Sequence, residues 1–231
     1  DGLECSINDT CQNGVCVGDT TNCSCVPEFS DIAAKVTDLA LGLAGHPGDG
    51  LDLDGNANTC APEDDCSGGV DNSFATLATL AEEIAGVNIN QQMSDTAQTG
   101  GIKLVIEVIG YGTDNPQLAL YQTGLDPSNP GCDFQTDVCS YWAKPEFLDS
   151  ETCQPTVLLP ATIEGNKVVA GGPGNALPFD MPFEGGISLN IVLYDIKLEG
   201  SIIIQDGNVY TMSAVLGAAI LKEDFENAIL A

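Results

Sequence analysis

The sequence predicts a mainly β, α+β fold: an antiparallel β-sandwich covered by two or three helices, with a small disulfide-rich appendage at its amino-terminal end. Runs of β-branched and aromatic residues dominate after Gly101, and two stretches with apolar residues at helical spacing precede them. The 231 residues, 43% of them hydrophobic, suffice for one domain with a sizeable core. We therefore divide the chain into an appendage, residues 1–27, and a helix-capped β-sandwich domain, residues 28–231, with an acidic loop at 46–71.

The helices are predicted from apolar spacing and from residues that cap helix ends. Ser30 and Asp31 can cap a first helix that ends at Gly45, and its apolar face would be Ile32, Val36, Leu39 and Leu43. A second helix begins at Asp71 or Asn72 and resumes before Gly100-Gly101, with an apolar face of Phe74, Leu77, Leu80, Ile84, Val87, Ile89 and Met93. Residues 222–230 predict a short terminal helix. The simplest interpretation of these faces is core packing.

Seven runs rich in β-branched and aromatic residues predict the strands, and turn residues separate them. Asp206-Gly207-Asn208 predicts a tight hairpin, because Gly and Asn tolerate the positive φ that such turns require. Consecutive runs joined by short turns favour an antiparallel sandwich. The runs are residues 102–109, 118–121, 156–159, 167–170, 187–194, 196–204 and 209–215.

The ten cysteines predict disulfides rather than a zinc site, because the chain has no CxxC pair and its only histidine is His46. Two pairs would close short loops, Cys60 with Cys66 and Cys132 with Cys139. The appendage holds an odd number, so full oxidation requires one of its cysteines to bridge to the body, where Cys153 remains as partner. The cysteines are Cys5, Cys11, Cys16, Cys23, Cys25, Cys60, Cys66, Cys132, Cys139 and Cys153. Disulfides on this scale predict a secreted or cell-surface protein.

The appendage also carries a recognisable pattern. Residues 5–18 read CSINDTCQNGVCVG and contain D-x-C-x-x-G-x-C-x-G. Over residues 1–25 the chain resembles one unit of the cysteine-rich repeats of large secreted proteins of myxobacteria and related bacteria. The resemblance implies a surface location more than an activity.

A second resemblance covers residues 45–230. The segments 50–55, 69–72 and 109–115, which read GLDLDG, GVDN and IGYGTDN, follow a layout found in secreted proteins or lipoproteins of the same bacteria. This resemblance implies an extracellular β-rich domain and adds no catalytic residue.

The acidic loop has the spacing of calcium ligands. With Asp52 as position 1, an EF-hand-type register is filled at positions 3, 5, 7 and 12 by Asp54, Asn56, Asn58 and Glu63. Asp71 is a candidate further ligand. The register departs from an EF-hand because Gly55 occupies position 4 and no helix immediately precedes it, so we predict an irregular or dockerin-like Ca²⁺ loop. The alternative is a solvated acidic connection. A second, weaker candidate cluster is Asp126, Asn129, Asp133 and Asp137.

Charge and motif content exclude several functions. The formal charge of −28 opposes phosphate backbones and anionic membranes, so we expect neither nucleic-acid binding nor membrane insertion by this chain. The chain contains no G-x-S-x-G turn and no arginine, which disfavours a catalytic triad and phosphate clamping. The Asp-Gly start lacks an uncleaved signal-peptide pattern, so we expect mature material.

The predicted function is that of a non-enzymatic extracellular structural or surface protein, disulfide-stapled and Ca²⁺-stabilised, as a subunit of a larger assembly with copies of itself or other surface proteins. The alternative is a carbohydrate-binding or adhesion module with a glycan contact at Trp142 and Tyr141. A third hypothesis is a secreted hydrolase with a carboxylate pair.

Overall fold

The computed structural model describes a set of chain segments that carry nearly all of the predicted strands. These segments are residues 7–12, 15–19, 25, 29, 32–42, 49–59, 69–72, 88–126, 128–150, 152–182 and 188–224. Their strands are β1 (Ile7–Gln12), β2 (Val15–Asp19), β3 (Ala33–Lys35), β4 (Leu104–Ile109), β5 (Gln117–Leu125), β6 (Tyr141–Ala143), β7 (Leu158–Glu164), β8 (Lys167–Gly171), β9 (Ala176–Pro182), β10 (Ser188–Gln205) and β11 (Asn208–Ala219). One α-helix, α1 (Ile89–Gln98), and one 3₁₀ turn (Pro145–Phe147) accompany them. Within these segments no helix is long and apolar enough to cross a bilayer.

Nine of the strands form one antiparallel sheet. Its order is β11-β10-β8-β7-β5-β4-β3, with β6 added to β5 and β9 added to β10. The long strand β10 uses residues 188–194 for β9 and 197–201 for β8, and β11 pairs with its other edge. The end strands β11 and β3 contact each other, so the sheet curls back on itself. Strands β1 and β2 form a separate hairpin.

The main core lies inside this curled sheet. Strand β5 runs through its centre, and all its residues from Leu118 to Thr123 are buried. The largest fully buried side chains are Phe147, Ile102, Leu118, Leu159, Ile196, Leu198 and Ile202. A smaller cluster forms where Met93 of α1 meets Ile102 and Ile191. The core therefore joins α1, the 3₁₀ turn and both halves of the sheet.

The prediction of a β-rich, antiparallel fold is confirmed. The described residues form one nine-stranded sheet, the separate β1–β2 hairpin and two short helical elements, so the arrangement as a sandwich covered by two or three helices stays a prediction. The division into residues 1–27 and 28–231 also stays a prediction.

The first predicted helix is wrong over the part that the structure describes. Ala33–Lys35 is strand β3, and the flanking backbone completes its pairing with β4: Val108 N donates to Ile32 O and Val36 N donates to Leu104 O, both at 2.8 Å. Residues 36–42 continue without regular structure alongside α1, where Leu39 and Leu41 join the Met93 cluster. The apolar residues at 32, 36 and 39 thus lie in a strand and an irregular segment rather than on one face of a helix. Sheet pairing and packing on α1 override the helical spacing.

The end of the second predicted helix is confirmed as α1. Asn88 caps it by accepting from Gln91 N at 2.8 Å, and Gly100 follows it with a φ of 76°. The earlier part of this prediction, residues 73–87, lies outside the described residues. Lys222–Asp224 are helical, as predicted for the terminal segment, and the rest of that segment also lies outside.

Most predicted strands are found, with changed boundaries. The run at 156–159 becomes β7 at Leu158–Glu164, and the runs at 187–194 and 196–204 are one strand, β10. The hairpin between β10 and β11 is confirmed: Gln205 pairs with Asn208, and the two turn residues, Asp206 and Gly207, have φ values of 52° and 81°. Sequence analysis missed β1, β2, β3, β6 and β9.

Candidate metal centre

Residues 49–59, the first described part of the acidic loop, lie on the outer face of the β10–β11 pair. Lys197 pairs in register with Gly217, and its neighbour Leu198 is buried in the core, so Lys197 and Gly217 point to the opposite face. A Cβ at Gly217 would lie 2.8 Å from Leu53 Cδ2 and 3.3 Å from Leu51 Cβ. The missing side chain of Gly217 therefore makes room for the apolar residues of the loop.

Lys197, on strand β10, holds the backbone of the loop by two hydrogen bonds. Its Nζ donates to the carbonyl oxygen of Asp52 at 2.9 Å and to that of Leu53 at 2.7 Å. Both bonds are partly buried, and hydrogen bonds from a charged donor are among the stronger ones in proteins. Lys197 thus donates its hydrogen bonds to carbonyl groups rather than to a carboxylate.

A second segment, residues 69–72, packs against the loop and brings in Asp71. Asp71 N donates to Leu51 O at 3.0 Å, while Asp71 Oδ2 accepts from Leu53 N at 2.9 Å and from Asp54 N at 3.3 Å. Gly69 has a φ of 69°, and a Cβ there would lie 2.5 Å from Ala57 Cα. Only glycine allows this close approach of the two backbones.

Three carboxylates converge where the two segments meet. Oxygen atoms of Asp52, Asp54 and Asp71 all lie within 4.8 Å of one another, and among the described residues this is the only such group of three His, Cys, Asp or Glu side chains. Asp52 and Asp71 are half-buried and Asp54 is exposed. Carboxylate oxygens at this spacing are the donors that Ca²⁺ prefers.

Hydrogen bonds inside the loop hold the carboxylates in place. Asp52 Oδ1 accepts from Gly55 N at 2.6 Å and from Asn56 N at 3.1 Å. Asp54 Oδ1 accepts from Asn56 N at 2.7 Å, and Asp54 Oδ2 accepts from the Thr59 hydroxyl at 2.7 Å. The Thr59 hydroxyl and the Asn56 backbone N–H lower the pKa of Asp54, so this carboxyl is ionised at neutral pH.

The structure brings together some of the predicted calcium ligands and not others. Asp52, Asp54 and Asp71 are brought together. The side-chain oxygen of Asn56 is directed to Asn58, accepting from its backbone N–H at 3.2 Å, and both residues are exposed. Glu63 lies outside the described residues. Sequence analysis missed Lys197, because nothing in its strand segment marks it as a partner of a loop far away in the sequence.

The weaker acidic cluster does not gather three carboxylates. Asp133 N donates to Asp137 Oδ2 at 3.1 Å, and Asp133 Oδ1 accepts from Gln135 N at 2.8 Å. Asp126 Oδ1 accepts from Ser128 N at 2.8 Å. These side chains close the turns of their own segment, and the structure gives no converging set there.

Two disulfides are present within the described segments. Cys132–Cys139 confirms one predicted short loop, and Cys25–Cys153 confirms the predicted bridge between the appendage and the body. Cys25 itself packs against the main core, although the sequence-based division places it in the appendage. Cys11 and Cys16 lie opposite each other in the β1–β2 hairpin, where only the backbone is described. Cys5, Cys23, Cys60 and Cys66 lie outside the described residues.

The predicted glycan contact is only partly accessible. The ring of Tyr141 packs edge-on against Phe134 with 6.2 Å between centroids, and burial raises the pKa of its hydroxyl. Trp142, on the neighbouring position of β6, is half-buried and pairs in register with Gly124. Tyr141 is therefore part of the packing, and the glycan contact at Trp142 and Tyr141 stays a prediction.

Comparison with protein-family models, with curated proteins and with solved structures found no match to this chain.

Proposed function

We propose that this chain is a non-enzymatic extracellular structural domain, stapled by disulfides and stabilised by Ca²⁺ bound to the acidic loop. The observation that carries this proposal is the convergence of Asp52, Asp54 and Asp71 from two chain segments onto one point. The three clustered carboxylates repel one another, and the net formal charge of −28 on the protein adds to this repulsion. A divalent cation at that point removes this repulsion.

The chemistry of the donors fits calcium. Ca²⁺ takes six to eight oxygen ligands in flexible geometry, whereas zinc sites use cysteine and histidine. The loop offers carboxylate oxygens from the three aspartates, and Asp71 Oδ1 meets no hydrogen-bond donor among the described residues. Asn56, Asn58 and Glu63 are the further oxygen donors of the proposed site, and water can complete the shell.

The hydrogen bonds of Lys197 support this proposal, because they order the backbone of the loop before an ion binds. Lys197 donates to the carbonyls of Asp52 and Leu53, so these two oxygens are directed toward the sheet. The ordering cost of binding is lowered, since the backbone is already fixed. The ion would then tie residues 49–59 to residues 69–72 and stiffen the outer face of β10–β11.

The disulfides support the extracellular setting. Bridges persist in oxidising surroundings, and Cys25–Cys153 and Cys132–Cys139 indicate such an environment. Secretion, display at a cell surface, and assembly with copies of this chain or with other surface proteins belong to the proposal. Size-exclusion chromatography of the Ca²⁺-loaded protein tests assembly with copies of this chain. Elution at the volume of a monomer would argue against it.

A thermal melt with a matched pair of variants tests the calcium proposal. Asp71→Asn keeps the shape and the acceptor oxygen of Asp71 but removes its charge from the site, whereas Asp114→Asn removes one charge from an exposed turn. We expect EDTA to lower the Tm of the wild type and of Asp114→Asn, and to lower that of Asp71→Asn much less. Equal Tm values with Ca²⁺ and with EDTA in the wild type would refute a stabilising ion.

A further inference from the structure

Strand β11 forms one end of the nine-stranded sheet and pairs only with β10. Among the described residues, no backbone hydrogen bond joins β11 to any other strand. Strand β3 approaches β11 where the sheet curls, but β3 has three residues and pairs with β4 alone. The twelve residues of β11 therefore keep an edge whose N–H and C=O groups have no paired strand within the described part of the chain.

The side chains of β11 show that this edge is open on the core side as well. Leu216 lies directly opposite Leu198, so both point toward the core, yet Leu198 is 2% exposed and Leu216 is 42% exposed. Ala214, on the same face, is exposed, and so are Thr211 and Ser213 on the other face. A further strand added along β11 would cover side chains on both faces.

Strand β11 also lacks the features that usually keep a sheet edge unpaired. Its sequence, NVYTMSAVLGAA, contains no charged residue and no proline, and its pairing with β10 is regular from Thr211 to Gly217. The other strands of this sheet that have a single partner are β3 and β6, of three residues each, and β9, which carries Pro178, Asp180 and Pro182. Short strands, prolines and charges commonly protect against edge-to-edge association, and β11 alone among these four strands has none of them.

The absence of charge on β11 indicates which kind of partner fits this edge. Two copies of this chain, each with a formal charge of −28, repel each other over most of their surfaces. At a twelve-residue strand with no acidic group, two copies can approach without placing carboxylates against each other. A basic protein gains no ion pair from this strand, because the strand has no negative side chain. The uncharged edge thus favours a second acidic copy over a basic partner.

We propose that β11 pairs with β11 of a second copy, antiparallel and across a two-fold axis, so that the two sheets become one continuous sheet. An identical strand is self-complementary in this arrangement, since every contact across the axis is made twice and the interface closes as a dimer. The regular stretch from Thr211 to Gly217 provides about six to eight main-chain hydrogen bonds, a number found in ordinary protein interfaces. The added strand covers the exposed part of Leu216 in each copy. The inference deepens the proposed function, because it names the surface for assembly with copies of this chain, and it rests on that part of the function rather than on the calcium ion.

Sedimentation equilibrium of the full chain over a range of protein concentrations, with Ca²⁺ present, tests the proposal. We expect a monomer–dimer equilibrium that shifts toward the dimer as the NaCl concentration is raised, because salt screens the repulsion between two acidic copies. Hydrogen exchange in β11 should slow at dimer-forming concentrations, because the amides on its edge become hydrogen-bonded. A protein that is monomeric at every concentration and salt level would overturn both this proposal and the assembly part of the proposed function. The calcium part, which the melt with EDTA tests, would be unaffected.

Two serine variants locate the interface. Ser213 on β11 and Ser201 on β10 are both exposed and lie directly opposite each other, so Ser213→Asp and Ser201→Asp place the same charge on the same face of the sheet. We expect Ser213→Asp to weaken the dimer about tenfold, because like charges meet across the axis, and Ser201→Asp to change its affinity much less. A dimer of the same affinity in both variants would show that copies associate through another surface, which overturns this inference and leaves assembly itself standing. Circular dichroism confirms that both variants are folded.

Discussion

A side-chain hydrogen bond that is buried at both ends joins two neighbouring strands of the sheet. Glu107 on β4 is 6% exposed, and its Oε2 accepts a hydrogen bond of 2.7 Å from the hydroxyl of Tyr121, which is 3% exposed on β5. Phe29 packs edge-on against the ring of Tyr121 with 5.0 Å between centroids. Burial, and then the bond to Glu107, raise the pKa of Tyr121.

This contact predicts a specific loss in Tyr121→Phe. The variant keeps the ring but removes the hydroxyl that donates to a buried carboxylate, so we expect it to lose about 1–3 kcal/mol of unfolding free energy near neutral pH. Tyr210→Phe, at a position that is 72% exposed, is the matched control and should change little. Urea unfolding of both variants measures the difference, and equal stability would show that the buried bond contributes nothing net.

The raised pKa of Tyr121 also predicts how stability changes in alkali. The unfolded chain releases the tyrosine proton near the ordinary pKa of 10.0, while the folded chain retains it to higher pH. Above about pH 10 the folded state therefore binds more protons, and stability falls as the pH rises. The fall should be smaller in Tyr121→Phe than in Tyr210→Phe, and an identical slope in both would contradict the assignment.

Lys197 gives the second prediction for a single residue. In Lys197→Met the carbonyls of Asp52 and Leu53 lose a charged donor in a partly buried site, which we expect to cost about 1–3 kcal/mol. Lys167→Met removes the same charge from an exposed position on β8 and serves as control. Urea unfolding in EDTA isolates the effect from any bound ion. A loss no greater than that of Lys167→Met would mean that the loop does not depend on this clamp.

Among the larger elements, the two disulfides close loops of very different length. Cys25 and Cys153 are separated by 128 positions, and Cys132 and Cys139 by 7. In the chain-entropy model the long loop contributes about 4–5 kcal/mol and the short one about 2–3 kcal/mol, since a longer loop restricts the unfolded chain more. The first bridge should therefore matter more for the whole domain.

Paired serine variants test this order. We expect Cys25→Ser with Cys153→Ser to lower the unfolding free energy by more than Cys132→Ser with Cys139→Ser does. Each double variant removes both thiols of one bridge, so neither leaves a partner thiol to exchange. A larger loss from the short loop would indicate that the turns around Asp133 and Asp137, rather than the bridge to Cys25, limit stability.

Local signals predicted some elements well and missed others. The β10–β11 hairpin followed from Asp206-Gly207-Asn208, whose turn chemistry admits few alternatives, and α1 followed from its apolar spacing before Gly100. Residues 32–42 were assigned wrongly because their apolar residues suit both periods, and only the exposed edge of β4 and the side of α1 decide between them. Contacts between distant segments carry that information, and a local pattern does not.

The candidate metal site was also predictable only where local sequence carried the signal. The alternation of acidic residues identified Asp52 and Asp54, and proximity in sequence to a Gly-rich turn suggested Asp71. Its two supports, Lys197 and the space above Gly217, depend on how β10 pairs with β11 and could not be predicted from the loop.

For the whole molecule, charge is the property that the fold must accommodate. A formal charge of −28 on 231 residues favours expansion through self-repulsion, and six lysines are the only basic residues apart from His46. Disulfides limit the expansion of the unfolded chain, and a divalent ion in the acidic loop would reduce repulsion in the folded one. We therefore propose that a bound divalent ion is central to the stability of this protein.

Titration of the metal-free protein with Ca²⁺ by calorimetry tests the proposed calcium site most directly. We predict saturable binding that is retained in Asp114→Asn and is weakened about tenfold or more in Asp52→Asn and in Asp71→Asn, because each of these removes a ligand charge from the cluster. A wild-type protein that takes up no Ca²⁺, or one whose affinity is the same in all three variants, would contradict the account.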